Sequence, residues 1–151
     1  MYMNKTIGIY AGSFKPFTIG HLDIVKQSKK IFDHVIVAQG KNIKKINIQH
    51  YNLPVKTLND MGVESAVFDG LLVDFINTVK FRGLNVVLIR GLRSGVDLEY
   101  EQNYSTFLRN MDPEINIVAL YSKPEFRHIS SSALRDIQQY SIAEYNKYVV
   151  K

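Results

Sequence analysis

Short runs rich in Val and Ile recur along the chain at positions 7–11, 34–39, 64–68, 86–89 and 115–121. Runs this short, apolar on successive rather than alternate residues, predict strands buried on both faces, as in a parallel sheet. Between them the pattern changes to a helical period. Leu22, Val25, Lys29 and Phe32 share one face after the first run. Leu72, Phe75, Ile76 and Val79 do so after the third, with Gly83 as a stop, and Val96, Tyr100, Tyr104 and Leu108 follow the fourth. Residues 47–62 are ambiguous, because Pro54 interrupts any long helix there. A last helix is expected to start near Ser130 and to run on through the Tyr-rich tail.

Alternating strands and helices joined by right-handed crossovers predict an α/β fold, a five-stranded parallel sheet with helices on both faces. The 151 residues show no repeat, linker or low-complexity stretch, so residues 1–151 are expected to form a single domain. A content of 46% hydrophobic residues is enough for a core, and no run is long enough to span a membrane. With no cysteine and no apolar signal segment in residues 1–6, the expected compartment is the cytoplasm. The net charge of +5 favours anionic partners without choosing among them.

In open parallel sheets ligands bind beyond the carboxyl ends of the strands. The chemically distinctive residues of this chain fall there each time: 12–21 after the first strand, 41–45 after the second, 69–72 after the third, 90–93 after the fourth, 122–132 after the fifth. Gly12 and Gly20 allow close backbone approach, and Thr18-x-Gly20-His21 opens a helix whose first N–H groups suit an anion, with His21 as a donor that can become cationic. Ser130, Ser131 and Ser132 place hydroxyls at a second helix start. These loops hold arginines, lysines, the histidines His21 and His128 and hydroxyls, but no nucleophile–base couple and no pair of histidines at metal spacing. Such a site suits nucleotidyl transfer in which the acceptor's own phosphate, already ionised at neutral pH, is the nucleophile. Mg²⁺ would arrive bound to the triphosphate, with no protein metal cage.

Five segments, Gly12-Ser13-Phe14-x-Pro16-x-Thr18-x-Gly20-His21, residues 70–75, Arg90-Gly91-Leu92-Arg93 with Asp97-x-Glu99-Tyr100-Glu101, residues 112–115 and Ile129-Ser130-Ser131-Ser132, together resemble the bacterial phosphopantetheine adenylyltransferases of the nucleotidylyltransferase superfamily. The resemblance implies a Rossmann-like fold, assembly as a homo-oligomer, specifically a hexamer, and the reaction of ATP with 4′-phosphopantetheine to give dephospho-coenzyme A and pyrophosphate. By position it implies that Ser13 and Phe14 line the site of ATP and of the acceptor phosphate, and that His21 stabilises the transition state. Lys45 and Arg90 would hold the acceptor phosphate, with Lys44 an equally good basic neighbour of Lys45, and Leu72 would face the pantetheine arm. Gly91, Leu92, Arg93 and Glu101 would serve ATP, as would Phe126, Arg127, His128 and Ile129 with the three serines, and Arg93 would act in catalysis with His21 and Lys45. Two positions depart from the family pattern: Lys15 stands where Asp is usual, and Leu108 where Asn is usual.

Taken one at a time, several of these residues have plainer explanations. His34, His50 and, outside the resemblance, His128 are expected to be ordinary solvated histidines. Lys26, Lys29, Lys30 and Lys41 lack the interleaved aromatics of a nucleic-acid surface and are expected to be solvated, so no nucleic-acid partner is expected. Asp97, Glu99 and Glu101 suit the N-terminal half of a helix through its dipole. Lys15 and Leu108 motivate a different phosphorylated acceptor, such as nicotinamide mononucleotide; the segment after Lys45, which lacks the family's usual Glu-Arg helix pattern, and the short Tyr-rich tail after Arg135 motivate a nucleotide-binding regulator without turnover.

Overall fold

Strand β1 (Thr6–Gly12) is the central strand of a five-stranded sheet. The computed structural model describes residues 5–41, 51–81 and 85–151. From β1 the chain passes through α1 (Ile19–Lys29) to β2 (His34–Gly40), then through α2 (Val55–Asp60) to β3 (Glu64–Phe68). It returns through α3 (Leu72–Lys80) to β4 (Asn85–Leu92) on the other side of β1, and α4 (Gly95–Met111) leads to β5 (Asn116–Tyr121). The order is β3-β2-β1-β4-β5 and every pairing is parallel. The direction of winding therefore reverses between β1 and β4, where a crevice opens beyond the strand ends.

Alternation along the strands divides the core in two. Ile7, Ile9 and Ala11 of β1 pack with Ile36, Ala38 and Leu88 against Leu72, Ile76 and Val79 of α3 and Leu108 of α4. Tyr10 points the other way, with Val35, Val37 and Ile89, onto Ile24 and Val25 of α1 and Leu58 of α2. Leu108 is thus a core residue. Pro54 precedes α2 as its N-cap and restricts the ambiguous 47–62 region to one short helix among its described residues.

The tail corrects one expectation. A 3₁₀ turn (Pro124–Phe126) and α5 (Ser131–Tyr140) are followed by a break, and Ser141 caps a separate α6 (Ile142–Asn146) by accepting from the Glu144 N–H at 3.2 Å. Ser141 is extended, and its hydroxyl satisfies a helix-start donor that a continuous helix would have used internally. The break turns the chain back onto the loop after β1, where Ile19 N–H donates to the Tyr148 carbonyl (2.9 Å) and Val150 N–H to the Phe17 carbonyl (3.1 Å). The expected helix stop at Gly83 lies outside the described residues.

Candidate active site

The crevice between β1 and β4 is a cleft of about 420 Å³, walled by the β1–α1 loop, the ends of β4 and β5 and the start of α5. Thr18 caps α1 and is locked to His21 in both directions. Thr18 N–H donates to His21 Nδ1 (2.9 Å), and His21 N–H donates to Thr18 Oγ1 (3.2 Å). Because Nδ1 accepts, the ring proton resides on Nε2, leaving an N–H donor for the cleft. Burial, and after it the nearby Arg93 guanidinium, lower the His21 pKa from 6.5 to about 3. The ring in the free protein is therefore a neutral donor at neutral pH and becomes cationic only in strong acid.

The aromatic packing around that ring fixes its direction. Phe14 meets it edge-on at 5.0 Å between centroids, and Phe17 lies 5.3 Å away. Phe14 adopts φ 46°, the left-handed region that a bulky side chain rarely occupies. Gly12 makes room for it, since a Cβ there would lie 3.1 Å from the Phe14 ring. At Gly20, by contrast, an added Cβ would meet only ordinary contacts with the protein, so the space beside it belongs to the cleft.

A second helix start closes the opposite wall. Ser130 caps α5 by accepting from Ala133 N–H (3.1 Å), while Ser131 Oγ donates to the Pro16 carbonyl (3.0 Å) and Arg135 Nη1 to the Lys15 carbonyl (2.7 Å). The two helix N-termini are thereby tied to one loop, and both bring positive dipole ends to the cleft.

Two arginines complete the positive lining, and each is held by a carboxylate. Arg93 donates through Nε and Nη2 to Asp97 (2.9 and 3.0 Å) and through Nη1 to the Ile129 carbonyl (3.2 Å). Burial works to raise the Asp97 pKa, but the hydrogen bonds and charge of Arg93 hold it below the usual 3.8. Arg90 forms a fork with Glu101, two contacts of 2.8 Å, donates to the Ala11 carbonyl (2.9 Å) and lies over the Tyr104 ring. Burial opposes its charge, yet the Glu101 pairing leaves its pKa raised above the ordinary value.

Ser13, Phe14, His21, Arg90, Gly91, Arg93 and Glu101 meet in this cleft, as do Phe126, Ile129 and the three serines. Leu92 is buried and Leu72 sits in the core; neither lines the cleft. Arg127 turns back to the Ser122 carbonyl (3.4 Å), and His128 is exposed against Tyr148. Lys44, Lys45 and His50 lie outside the described residues. His34 pairs with Glu64 between β2 and β3, away from the cleft.

Sequence reasoning missed Asp97 as the anchor of Arg93, although the four-residue spacing of an acid and an arginine was a usable signal. It also missed Tyr10 and Gln39. Gln39 is fully buried, and its Nε2 donates to the carbonyls of Ser13 (3.0 Å), Tyr51 (2.9 Å) and, weakly, Phe14 (3.5 Å), while Oε1 has no partner among the described residues. A polar residue interrupting an apolar strand was the signal there.

No group of His, Asp or Glu among the described residues is arranged to hold a metal ion, and no described helix is long and apolar enough to cross a membrane.

A family model described as cytidylyltransferase-like matches residues 9–137. A phosphopantetheine adenylyltransferase of Clostridium perfringens is 37% identical, covering 96% of this chain and 88% of its own. One from Levilactobacillus brevis is 32% identical, covering 89% and 84%. Among solved structures, a nicotinic acid mononucleotide adenylyltransferase of Plasmodium falciparum in complex with NaAD superposes with a TM-score of 0.57 at 17% identity, covering 97% of this chain and 91% of its own. At that identity the likeness concerns the fold alone.

Proposed function

This chain belongs to the cytidylyltransferase-like family and, within it, to the phosphopantetheine adenylyltransferases, and from that premise we propose that it transfers the adenylyl group of ATP to 4′-phosphopantetheine. An oxygen of the acceptor phosphate attacks the α-phosphorus of ATP, a new P–O bond forms, and the bond to the β-phosphate bridging oxygen breaks. Dephospho-coenzyme A and pyrophosphate result. The nucleophile is already anionic, so no residue has to remove a proton; the protein aligns the two substrates and stabilises charge on the transferring group.

The observation that carries this reading is the locked His21, a neutral Nε2–H donor at the N-terminus of α1, facing the same cleft as two arginines and the capped start of α5. A donor fixed before the substrate arrives needs no reorganisation as charge develops on the α-phosphoryl oxygens. Arg93, with the N–H groups and hydroxyls of Ser130–Ser132, is suited to the β- and γ-phosphates. Arg90 is suited to the acceptor phosphate from the Ala11 side, joined by Lys45 or Lys44. Mg²⁺ enters as part of the MgATP substrate, coordinated by phosphate oxygens and water; both carboxylates of the cleft, Asp97 and Glu101, are committed to arginines, which supports this assignment. A cytoplasmic homo-oligomer, a hexamer by resemblance, is the form in which we propose that it works.

The test is to incubate the protein with ATP, Mg²⁺ and one acceptor at a time, following pyrophosphate release and the mass of the product. The expected result is dephospho-coenzyme A from 4′-phosphopantetheine. Turnover with nicotinamide mononucleotide alone would reassign the acceptor, and ATP binding without product on any acceptor would leave a nucleotide-binding regulator.

A further inference from the structure

Tyr10 lies on the floor of the cleft, at the point where β1 and β4 part. It is 95% buried by the complement of its 5% exposure, yet it contributes to the cleft lining. Its ring packs edge-on against Phe14 (5.2 Å) and lies 6.3 Å from the His21 ring. The hydroxyl stands beside Gly91, where an added Cβ would lie 3.5 Å from it and 3.2 Å from Ile24, so glycine there lets both side chains sit against β4. Among the described residues that hydroxyl has no hydrogen-bond partner. The hydroxyl is not sealed in the core: Gln39 Oε1 is the buried side-chain atom left without a partner among the described residues, whereas the phenol borders the cleft, where a ligand can meet it.

Core packing alone would be served by phenylalanine at this position. The charge around the group says what it awaits. Burial raises its pKa well above the ordinary value, so it stays a protonated donor; the charges of Arg90 and Arg93 act on it, opposed by those of Glu101 and Asp23. A neutral donor near the His21 ring, in a cleft also lined by Arg90 and Arg93, is matched to an anionic oxygen.

We propose that Tyr10 is a substrate-contacting residue whose hydroxyl donates to a non-bridging oxygen of the α-phosphate of ATP, sharing with His21 the charge that develops there. This rests on adenylyl transfer from ATP being the reaction. The group would select for a nucleotide whose α-phosphate reaches the floor of the cleft.

The test is Tyr10→Phe, which removes one oxygen and keeps the ring. With ATP and 4′-phosphopantetheine, kcat/KM should fall by about tenfold to a hundredfold, the range for a hydrogen bond to a charged group. The discriminating measurement is equilibrium binding of the two α-thiophosphate diastereomers of ATP, which requires no turnover. In the wild type, sulfur at the contacted oxygen should weaken binding relative to the other diastereomer, and in Tyr10→Phe that preference should collapse. A preference unchanged by the substitution overturns the proposal, as does a loss that disappears with 2′-deoxy-ATP, which would place the hydroxyl on the ribose. A parallel weakening of both diastereomers with a lowered melting temperature assigns Tyr10 to packing and likewise overturns it. If the wild type binds the diastereomers unequally but forms no product, the adenylyl-transfer reading fails while the Tyr10 contact stands.

Discussion

Acidification should weaken this fold through His21, by an amount the site geometry sets. In the unfolded chain the imidazole titrates near 6.5; in the folded chain burial and Arg93 lower this to about 3. Between those values the unfolded state binds a proton that the native state refuses, so stability falls as pH drops from 7 toward 3 and is fully retained above 7. At pH 5 nearly every unfolded molecule carries the proton and almost no folded one does, which costs about 2 kcal/mol relative to pH 7. Urea denaturation at the two pH values measures it, with His21→Asn as the reference. Its amide oxygen stands near the Nδ1 position and can still accept from Thr18 N–H, but it does not titrate. The wild type should lose about 2 kcal/mol more than the variant between pH 7 and pH 5, and the imidazole NMR signals of His21 should show no titration down to pH 5. A midpoint near 6, or urea curves that shift in parallel for the two proteins, would refute the neutral donor. The same variant should lower kcat at pH 8 by about a hundredfold with little change in ATP affinity, because the donor acts on developing charge.

Asp97→Asn should loosen Arg93 and raise the ATP Kd by about tenfold, while the melting temperature changes little; isothermal titration of ATP checks it. Arg90→Lys loses the fork to Glu101 and should raise the acceptor KM about tenfold in steady-state kinetics, with ATP binding nearly intact. Lys45→Ala should raise the acceptor KM and lower kcat more than Lys44→Ala does, with ATP binding in the absence of acceptor unaffected; the reverse order would transfer the role to Lys44.

The fold was legible because buried parallel strands are continuous apolar runs, and all five predicted runs coincide with strands to within a few residues at their ends. The cleft was legible in outline for a related reason: strand polarity brings the ends of β1, β4 and β5 to one edge. Pairings across the cleft were not. Arg90 and Glu101 were assigned to different substrates, yet they form one fork, because a strand residue and a helix residue eleven positions apart carry no periodic signal. Asp97 looked like a helix-dipole residue, and its spacing to Arg93 serves that role equally well. Tyr10 and Gln39 were hidden by their surroundings, since a polar tip inside an apolar strand changes the pattern by a single position. The break at Ser141 escaped notice because the helical propensity of the flanking residues continues across it, and the competing cap is a local hydroxyl contact.

The strand order also governs how the chain is made. As synthesis proceeds from the N-terminus, β1 can pair with β2, and β2 with β3, while its other edge waits for β4; Thr6 pairs with Asn85. At translation rates of 5–20 residues per second, the roughly 80 residues between them take about 4–16 s to emerge. For that interval β1 presents an unpaired, apolar strand edge, the kind of surface that recruits other chains. The cleft lies at this late-formed seam and takes its remaining wall from β5 and α5, which emerge later still, so a partly folded nascent chain cannot carry activity, and chaperone capture during synthesis should concentrate on the half-sheet that precedes β4.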